Sequence, residues 1–573
     1  MTSFRNKVLF TAVVSILAGC GGGDINISPV TQDTSVDNSV NNSNNTSATS
    51  STAECAFYVT QAGQTIAGTY DGLDCIYAPT FVDAGNNLAV DLTIPDLANG
   101  GAHVFQGSLF VGEDYGTNAE LTAAGLTKGG DGVKLTIEAG ATLAFTSKQQ
   151  FIIINRGSQI FAAGTALKPI TITSLTDIQS QRAAAPTLVF DAVQQWGGLV
   201  LNGFGVTNKC PYDGAITATT DTLAMTAAGC NVLAEGAIGL DTSHYGGDNN
   251  DDNSGRLEYV RLKHMGAEVA SGSELNGISF GAVGRNTTVN NLEIYSSYDD
   301  GIEMFGGAVN INNYVAVYVR DDSIDIDEGY RGTITNALVI QAVADGNYCI
   351  ESDGIGSYNK ANVADNARKI AQGINSRPTI NNLTCITSAN AGGTHEVGRG
   401  WKFREGIFPT VNNSMMISAF STDDPASTNA CLDVKDDETL QGAQDGNVSL
   451  NSVIFACVDR TFNGPLPNAT TTEAWAVANG NQFATTLSND NVTAASNTAL
   501  VLLEGTPSIY SVPYATMVVD GAAPTATAPT NGASYIGALS LGATDWTNGW
   551  TYGIFSGSRA VDANGADIKL WFE

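Results

Sequence analysis

Charge is scarce in this chain, and basic charge is scarcest: Asp, Glu, Lys and Arg make up 14% of 573 residues, with 26 Lys plus Arg against 57 Asp plus Glu. The formal net charge of -31 excludes a nucleic-acid partner, because such a protein has to neutralise phosphates. An acidic surface favours cations instead. Cofactor patterns are missing as well. There is no Walker A loop, HExxH, haem-attaching CxxCH or pair of CxxC motifs, so neither zinc nor an organic cofactor is expected. No GxSxG elbow accompanies a Ser-His-Asp order. The composition also argues against long helices. Gly supplies 63 residues and Asn, Thr and Ser recur throughout, which suits short strands joined by tight turns.

What is present begins at the N-terminus. Arg5 and Lys7 precede the apolar run from Val8 to Ile16, and Leu17-Ala18-Gly19-Cys20 follows. The run is too short for a permanent membrane span. This order resembles a bacterial lipoprotein signal ending in a lipobox. The resemblance implies a signal peptide over 1–19, cleavage before Cys20 and lipid on the Cys20 thiol. Gly21 and Gly22 stand where Asp would retain a lipoprotein at the inner membrane, so the implied anchor is outer-membrane lipid. Whether the body faces the periplasm or the cell surface stays open. Residues 20–53 are polar and repetitive, cannot bury enough apolar area to offset ordering, and read as a tether.

Eight further cysteines fall in order as Cys55 and Cys75, Cys210 and Cys230, Cys349 and Cys385, Cys431 and Cys457. An even count in an exported chain points to disulfides. Neighbour pairing is one of many possible connectivities.

The organising signal is a repeat. Val289-Asn290-Asn291-Leu292, Ile311-Asn312-Asn313-Tyr314, Ile334-Thr335-Asn336-Ala337, Ile380-Asn381-Asn382-Leu383 and Val411-Asn412-Asn413-Ser414 share an apolar residue, a polar residue and then Asn. The first three Asn positions lie 22 and 23 residues apart, about the length of a β-helix coil. Asn at a recurring bend can pair its amide with the equivalent one a coil away. A second series keeps this register: Gly301 to Gly307, Ser323 to Gly329, Tyr348 to Gly354 and Gly400 to Gly406. Alternation places Ile302, Ile324, Ile350 and Trp401 inward and the intervening charged residues outward. The expected fold is all-β, a right-handed single-stranded parallel β-helix with capping segments. Its organisation is a cap and early coils over 54–130, the helix over 131–460 with inserted loops at 204–253, and final coils with an aromatic-rich cap over 461–573.

Further motifs sharpen this. They are Gly164 through Ser174, Trp196-Gly197-Gly198-Leu199-Val200-Leu201-Asn202-Gly203, Tyr245-Gly246-Gly247-Asp248, Glu274-Leu275-Asn276-Gly277, Asp299 through Gly307, Asp321 through Gly332, and Asp545 through Gly553. As a set the chain resembles secreted or surface bacterial β-helix proteins, often lipoproteins, loosely related to the pectate-lyase-like superfamily. The resemblance implies the fold and export. It brings no settled activity.

Acidic residues crowd one stretch: Asp299, Asp300, Glu303, Asp321, Asp322, Asp325, Asp327, Glu328, Asp345, Glu351 and Asp353, opposed by Arg320 and Arg331. The proposed register stacks Glu303, Asp325 and Glu351 in one column, and Asp327 and Asp353 in the next, beneath Phe305. Ionised carboxylates about 4.8 Å apart repel unless solvent or cations screen them, and calcium takes oxygen ligands of this kind. Lys402 and Arg404 would cap both columns without metal if their strand stacks on the Glu351 strand. Calcium sites, a metal-free salt-bridge network and catalytic use all remain open. The loop from Asp248 to Ser254, with Asp251 and Asp252, offers oxygen donors without EF-hand spacing, as a second calcium site or a solvated loop. Tyr295, Tyr298, Phe305, Tyr318 and Tyr330 would make a sugar platform if they face outward.

These features favour a noncatalytic binding or structural role toward a glycan or outer-membrane protein. The alternative is a calcium-dependent polysaccharide lyase or glycoside hydrolase, with Arg261, Lys263, His264, Lys402 and Arg404 as candidate basic groups. The Arg-x-Pro-x-x-Arg pattern of pectate lyases and the His-Gly and Arg-x-Lys arrangement of polygalacturonases are missing.

Overall fold

The computed structural model describes residues 55–83, 85–217, 220–221, 223–235, 243–270, 273–388, 398–418, 430–457, 460–484, 487–489, 511–529, 535–539 and 545–571. Cys20, the signal and the tether lie outside these residues, as does His395.

Two parallel sheets are wound by one chain. A ten-stranded sheet takes one short strand from each successive coil, among them Leu199–Asn202, Ile278–Gly281, Ile302–Phe305, Ile324–Asp327, Tyr348–Asp353, Arg399–Arg404 and Leu432–Val434. The second sheet has 18 strands, with the long strands Gly255–Met265, Thr288–Ser297, Asn310–Val317, Thr333–Ile340 and Thr379–Thr387 paired in sequence order. Each strand lies parallel to its counterpart one coil later, which is the pairing pattern of a parallel β-helix. Val289 pairs with Ile311, Ile311 with Ile334, Ile334 with Ile380 and Ile380 with Val411, the register read from the sequence. Ile302, Ile324, Ile350 and Trp401 are fully buried inside the coil. Each such aliphatic side chain stabilises the fold by about 1.5–3 kcal/mol relative to exposure.

The recurring Asn marks a bend within each long strand. Asn291, Asn313, Asn336, Asn382 and Asn413 all have positive φ, between 49° and 59°, a conformation in which Asn is among the few tolerated side chains. Their amides form a ladder: Asn313 Nδ2 donates to Asn291 Oδ1 at 3.0 Å, Asn336 to Asn313 at 2.9 Å, Asn382 to Asn336 at 2.9 Å and Asn413 to Asn382 at 3.4 Å. One residue type thus supplies both the bend and the satisfaction of its polar side chain. Tyr259 and Ser452 occupy the left-handed region in the strand regions flanking this series.

All four disulfides join neighbours: Cys55–Cys75, Cys210–Cys230, Cys349–Cys385 and Cys431–Cys457. Cys349 and Cys385 come from the two different sheets and tie them across the interior. At the N-terminal end, antiparallel pairing of Phe57–Val59 with Thr65–Ala67 precedes the first parallel strand, Cys75–Tyr77.

Among the described residues Gln482–Ala484 is the last strand added to the coils, and described segments after it lie along the flank. Gly537 N donates to Asn413 O, Ala538 N to Thr384 Oγ1, and Tyr552 N to both Glu293 oxygens. Trp550 packs edge-on against Tyr259, and Tyr552 against Tyr295. The C-terminal aromatics therefore cover coils in the middle of the helix, where the expectation was a closing cap. Trp and Tyr rings bury large apolar area wherever an uncovered strand face is offered, and their enrichment alone does not say which one.

Candidate acidic site beneath an inserted segment

The acidic residues on the outer face of the ten-stranded sheet stack as their spacing implied. Glu303 pairs in register with Asp325, Asp325 with Glu351 and Glu351 with Lys402; Phe305 pairs with Asp327, and Asp353 with Arg404. The turns before these strands add a second set. Asp322 N donates to Asp300 Oδ1 at 2.9 Å, Tyr348 N to Asp322 Oδ1 at 2.5 Å, and Asn347 Nδ2 to Asp321 Oδ1 at 2.7 Å. These turn carboxylates organise backbone as Asp does in tight turns.

The columns are partly covered: Glu303 and Glu351 are buried, while Asp325, Asp327 and Asp353 are half-buried. The segment inserted after Leu199–Asn202, stapled by Cys210–Cys230, folds back over them. Tyr245 lies 5.7 Å from Phe305, ring to ring, and its hydroxyl donates to Glu328 Oε2 at 2.8 Å. Thr207 Oγ1 donates to the same oxygen at 2.9 Å, and Lys209 Nζ lies 3.1 Å from Glu328 Oε1. Gly306 shows how close the two layers come: its φ is +76°, and a Cβ there would sit 2.7 Å from Val206 O. Glu303 and Glu351 are each 9% exposed. Glu328, already in the acidic stretch read from the sequence, takes part here, and Lys209, Glu235 and Glu274 join it; sequence reasoning did not place Lys209 and Glu235 there because nothing in the period connects the insertion to the columns.

Electrostatics divide the columns in two. At one end Lys402 Nζ meets Glu351 Oε1, Arg404 Nη2 lies 2.6 Å from the same oxygen, and Arg404 Nη2 donates to Asp353 Oδ2 at 2.8 Å. Burial opposes ionisation of Glu351, yet a hydrogen bond with Asp322 and the charges of Arg404 and Lys402 outweigh it, holding its carboxyl at about 2. At the other end Asp299, Asp300, Glu303, Asp322, Asp325 and Asp327 are all held well above the usual carboxylate range, first by burial and then by one another's charge, with Glu235, Glu274, Glu328, Glu351 and Asp353 adding to it. Two triads have ligand oxygens within 4.8 Å of one another: Asp299, Asp300 and Asp321, and Asp300, Glu303 and Asp325. Asp325 Oδ1, Asn276 Oδ1 and Ser323 Oγ are buried without a hydrogen-bond partner. Asn276 adjoins the second triad, donating to Glu303 Oε2 at 2.5 Å.

The other sequence candidates separate. Asp248 pairs with Lys128 at 2.5 Å, Asp251 with Arg285 at 3.0 Å, and Asp252 is buried, accepting from Ser254 Oγ at 3.1 Å. That loop does not bring its three acids into a common cluster among the described residues. Burial pushes Asp252 up to about 7. Tyr295, Phe305, Tyr318 and Tyr330 are buried and Tyr298 is half-buried, so the five rings form no exposed platform. Arg261, Lys263 and His264 lie on the other sheet, in Gly255–Met265, where Lys263 Nζ pairs with Asp177 Oδ2 at 2.8 Å.

Comparison with curated proteins and with solved structures finds no match. The family model described as a pectate-lyase-like beta helix domain matches residues 115–551, which takes in most of the coils, the insertion and the acidic columns. The chain belongs to this family of pectate-lyase-like β-helix domains.

Proposed function

We propose that the protein is a lipid-anchored outer-membrane β-helix with a noncatalytic binding or structural role, its acidic columns neutralised by calcium. The observation carrying this reading is the pair of carboxylate triads sharing the buried Asp300, with Glu303 buried, Asp299, Asp321 and Asp325 half-buried, and partnerless oxygens beside them. Several ionised carboxylates at this spacing repel strongly in a buried setting. Hard oxygen donors without nitrogen or sulfur suit calcium, which takes six to eight oxygens at about 2.3–2.6 Å. Asp299, Asp300, Asp321, Glu303 and Asp325 are the residues that would hold it, with Asn276 Oδ1 within the same neighbourhood.

A lyase would need a basic group free to take a proton beside the metal. Lys402 and Arg404 are committed to Glu351 and Asp353, and Lys209 to Glu328, which supports the noncatalytic reading. The experiment is a melting series in calcium and in chelator, together with cleavage assays on acidic and neutral glycans. Calcium should raise the melting temperature with no glycan cleaved. An unchanged melt and metal content would remove the calcium reading, and calcium-dependent cleavage lost in Glu303→Gln would replace it with the lyase or hydrolase. Acylated Cys20 in the mature chain, read by mass spectrometry, tests the anchor.

A further inference from the structure

Away from the acidic columns, a lysine and an aspartate meet where neither reaches solvent. Lys263, on Gly255–Met265, and Asp177, on the helix Leu175–Arg182, are 2% and 3% exposed, and Lys263 Nζ lies 2.8 Å from Asp177 Oδ2. Lys263 follows the core residue Leu262 and so faces outward from the coil, beneath that helix and the returning C-terminal segment. The Tyr552 ring closes over Nζ at 3.7 Å, and Glu293, in register with Arg261 on the next strand, is fully buried in the same layer.

Two charges taken this far out of water lose more in solvation than their attraction returns unless further hydrogen bonds compensate. Burial pulls the Lys263 ammonium below its ordinary range and pushes the Glu293 carboxyl up to about 8. At Asp177 burial opposes ionisation too, and the charge of Lys263 and the contact with His264 outweigh it. The other contacts prepare the Asp177 carboxyl for attack. Thr173 Oγ1 donates to Oδ2 at 2.7 Å, and His264 Nε2 lies 3.4 Å from Oδ1. One oxygen thus faces a hydroxyl donor that stabilises developing negative charge, and the other an imidazole that carries protons. Holding amine and carboxyl side by side removes the entropic part of the barrier.

We propose that Lys263 and Asp177 join in an intramolecular amide bond that cross-links the helix to the coil. A proton first moves from Nζ to the carboxylate, leaving a neutral amine beside a neutral acid. Nζ then bonds to Asp177 Cγ, and the Cγ–Oδ1 bond breaks. The two protons that Nζ gives up in all leave on Oδ1 as one water, relayed by His264. Oδ2 stays as the amide carbonyl and still accepts from Thr173. Nothing is oxidised or reduced, and no co-reactant is consumed. The link removes two buried charges and bridges 86 residues of sequence, where the four disulfides bridge 20 to 36. It is independent of the calcium reading.

The test is mass spectrometry of a tryptic digest of the purified full-length chain, reduced and denatured beforehand. Trypsin should leave the chain uncut after Lys263 and yield a branched peptide joining the Asp177 and Lys263 segments, one water lighter than the sum of its parts. Lys263→Arg keeps a cation opposite Asp177 and should lose the branched peptide completely. Separate linear peptides from the parent chain, with cleavage after Lys263, overturn the proposal, and so does a branched peptide that survives in Lys263→Arg. The parent digest decides by itself if the variant does not fold.

Discussion

Lys402 lies in register with Glu351 on the adjacent strand, and its ammonium meets the Glu351 carboxylate where both side chains are nearly buried. Because neither charge has much solvent, removing one leaves the other exposed to the full cost of burial. Lys402→Met should destabilise the fold by about 1–4 kcal/mol, the lower part of the range reflecting Arg404, which also reaches Glu351. The double variant Lys402→Met with Glu351→Gln should recover much of that loss. Denaturant melts of the single and double variants read the coupling directly; additive losses would mean that the pair contributes nothing of its own.

Asp300 belongs to both carboxylate triads, which gives its neutralisation two opposite effects. Asp300→Asn keeps an oxygen to accept from Asp322 N and removes a charge from a repelling group. In chelator the variant should melt higher than the parent. In calcium it should lose the metal-induced stabilisation, which for the parent is about 2.7 kcal/mol when free calcium exceeds the dissociation constant a hundredfold. Equal calcium responses in parent and variant would exclude these triads as the site.

The same carboxylates set a pH signature. Asp299, Asp300, Glu303, Asp322, Asp325 and Asp327 titrate well above their unfolded values, so the folded state holds more protons than the unfolded one over that window. Stability from this source is present below the ordinary carboxylate range and is lost as pH rises through the folded values. Metal-free protein should therefore gain stability as pH falls through the raised folded values of these groups toward the ordinary carboxylate range. Calcium should flatten that slope by replacing the protons. Glu351, held at about 2, works the other way: its contribution is present above its unfolded value and lost as pH falls through about 2. A melting profile against pH, with and without chelator, separates the two.

The coil and its register were legible because both are periodic. Asn291, Asn313 and Asn336 repeat at one coil length, and the same spacing that aligned them aligned Glu303 with Asp325. Pairing of the cysteines between neighbours was open in sequence, since spacing alone does not choose a connectivity. The covering of the acidic face was not legible at all. Tyr245, Thr207 and Lys209 reach Glu328 across 83 to 121 residues of chain, and a non-repeating insertion carries no period from which to read where it lands. The same holds for Tyr552, which returns 259 residues to reach Glu293.

The Asn ladder permits its two roles to be measured apart. Asn336 has φ of 58° and exchanges amide hydrogen bonds with Asn313 and Asn382. Asn336→Gly keeps the left-handed bend without strain but removes both ladder bonds, while Asn336→Ala removes the bonds and adds backbone strain. The Ala variant should be less stable than the Gly variant by about 1 kcal/mol, and both less stable than the parent by about 1–3 kcal/mol. Equal stability of all three in denaturant melts would show that neither role matters at this coil.

Glu293 is a charged residue that the fold buries completely. Its side chain is fully buried, its two oxygens accept from Tyr552 N, and burial pushes its carboxyl up to about 8 against the pull of that hydrogen bond and of Arg261 and Lys263. Near pH 6 the folded protein thus carries it largely protonated, and Glu293→Gln, which retains an accepting oxygen of nearly the same shape, should change stability by less than about 1 kcal/mol. As pH rises through about 8 the parent must ionise a buried group, and its contribution to stability is lost. The Gln variant has no such loss, so the two melting curves should diverge above pH 8 with the variant the more stable. Protection of the Tyr552 amide from hydrogen exchange should follow the same divergence, because that amide is what Glu293 holds against the flank of the helix.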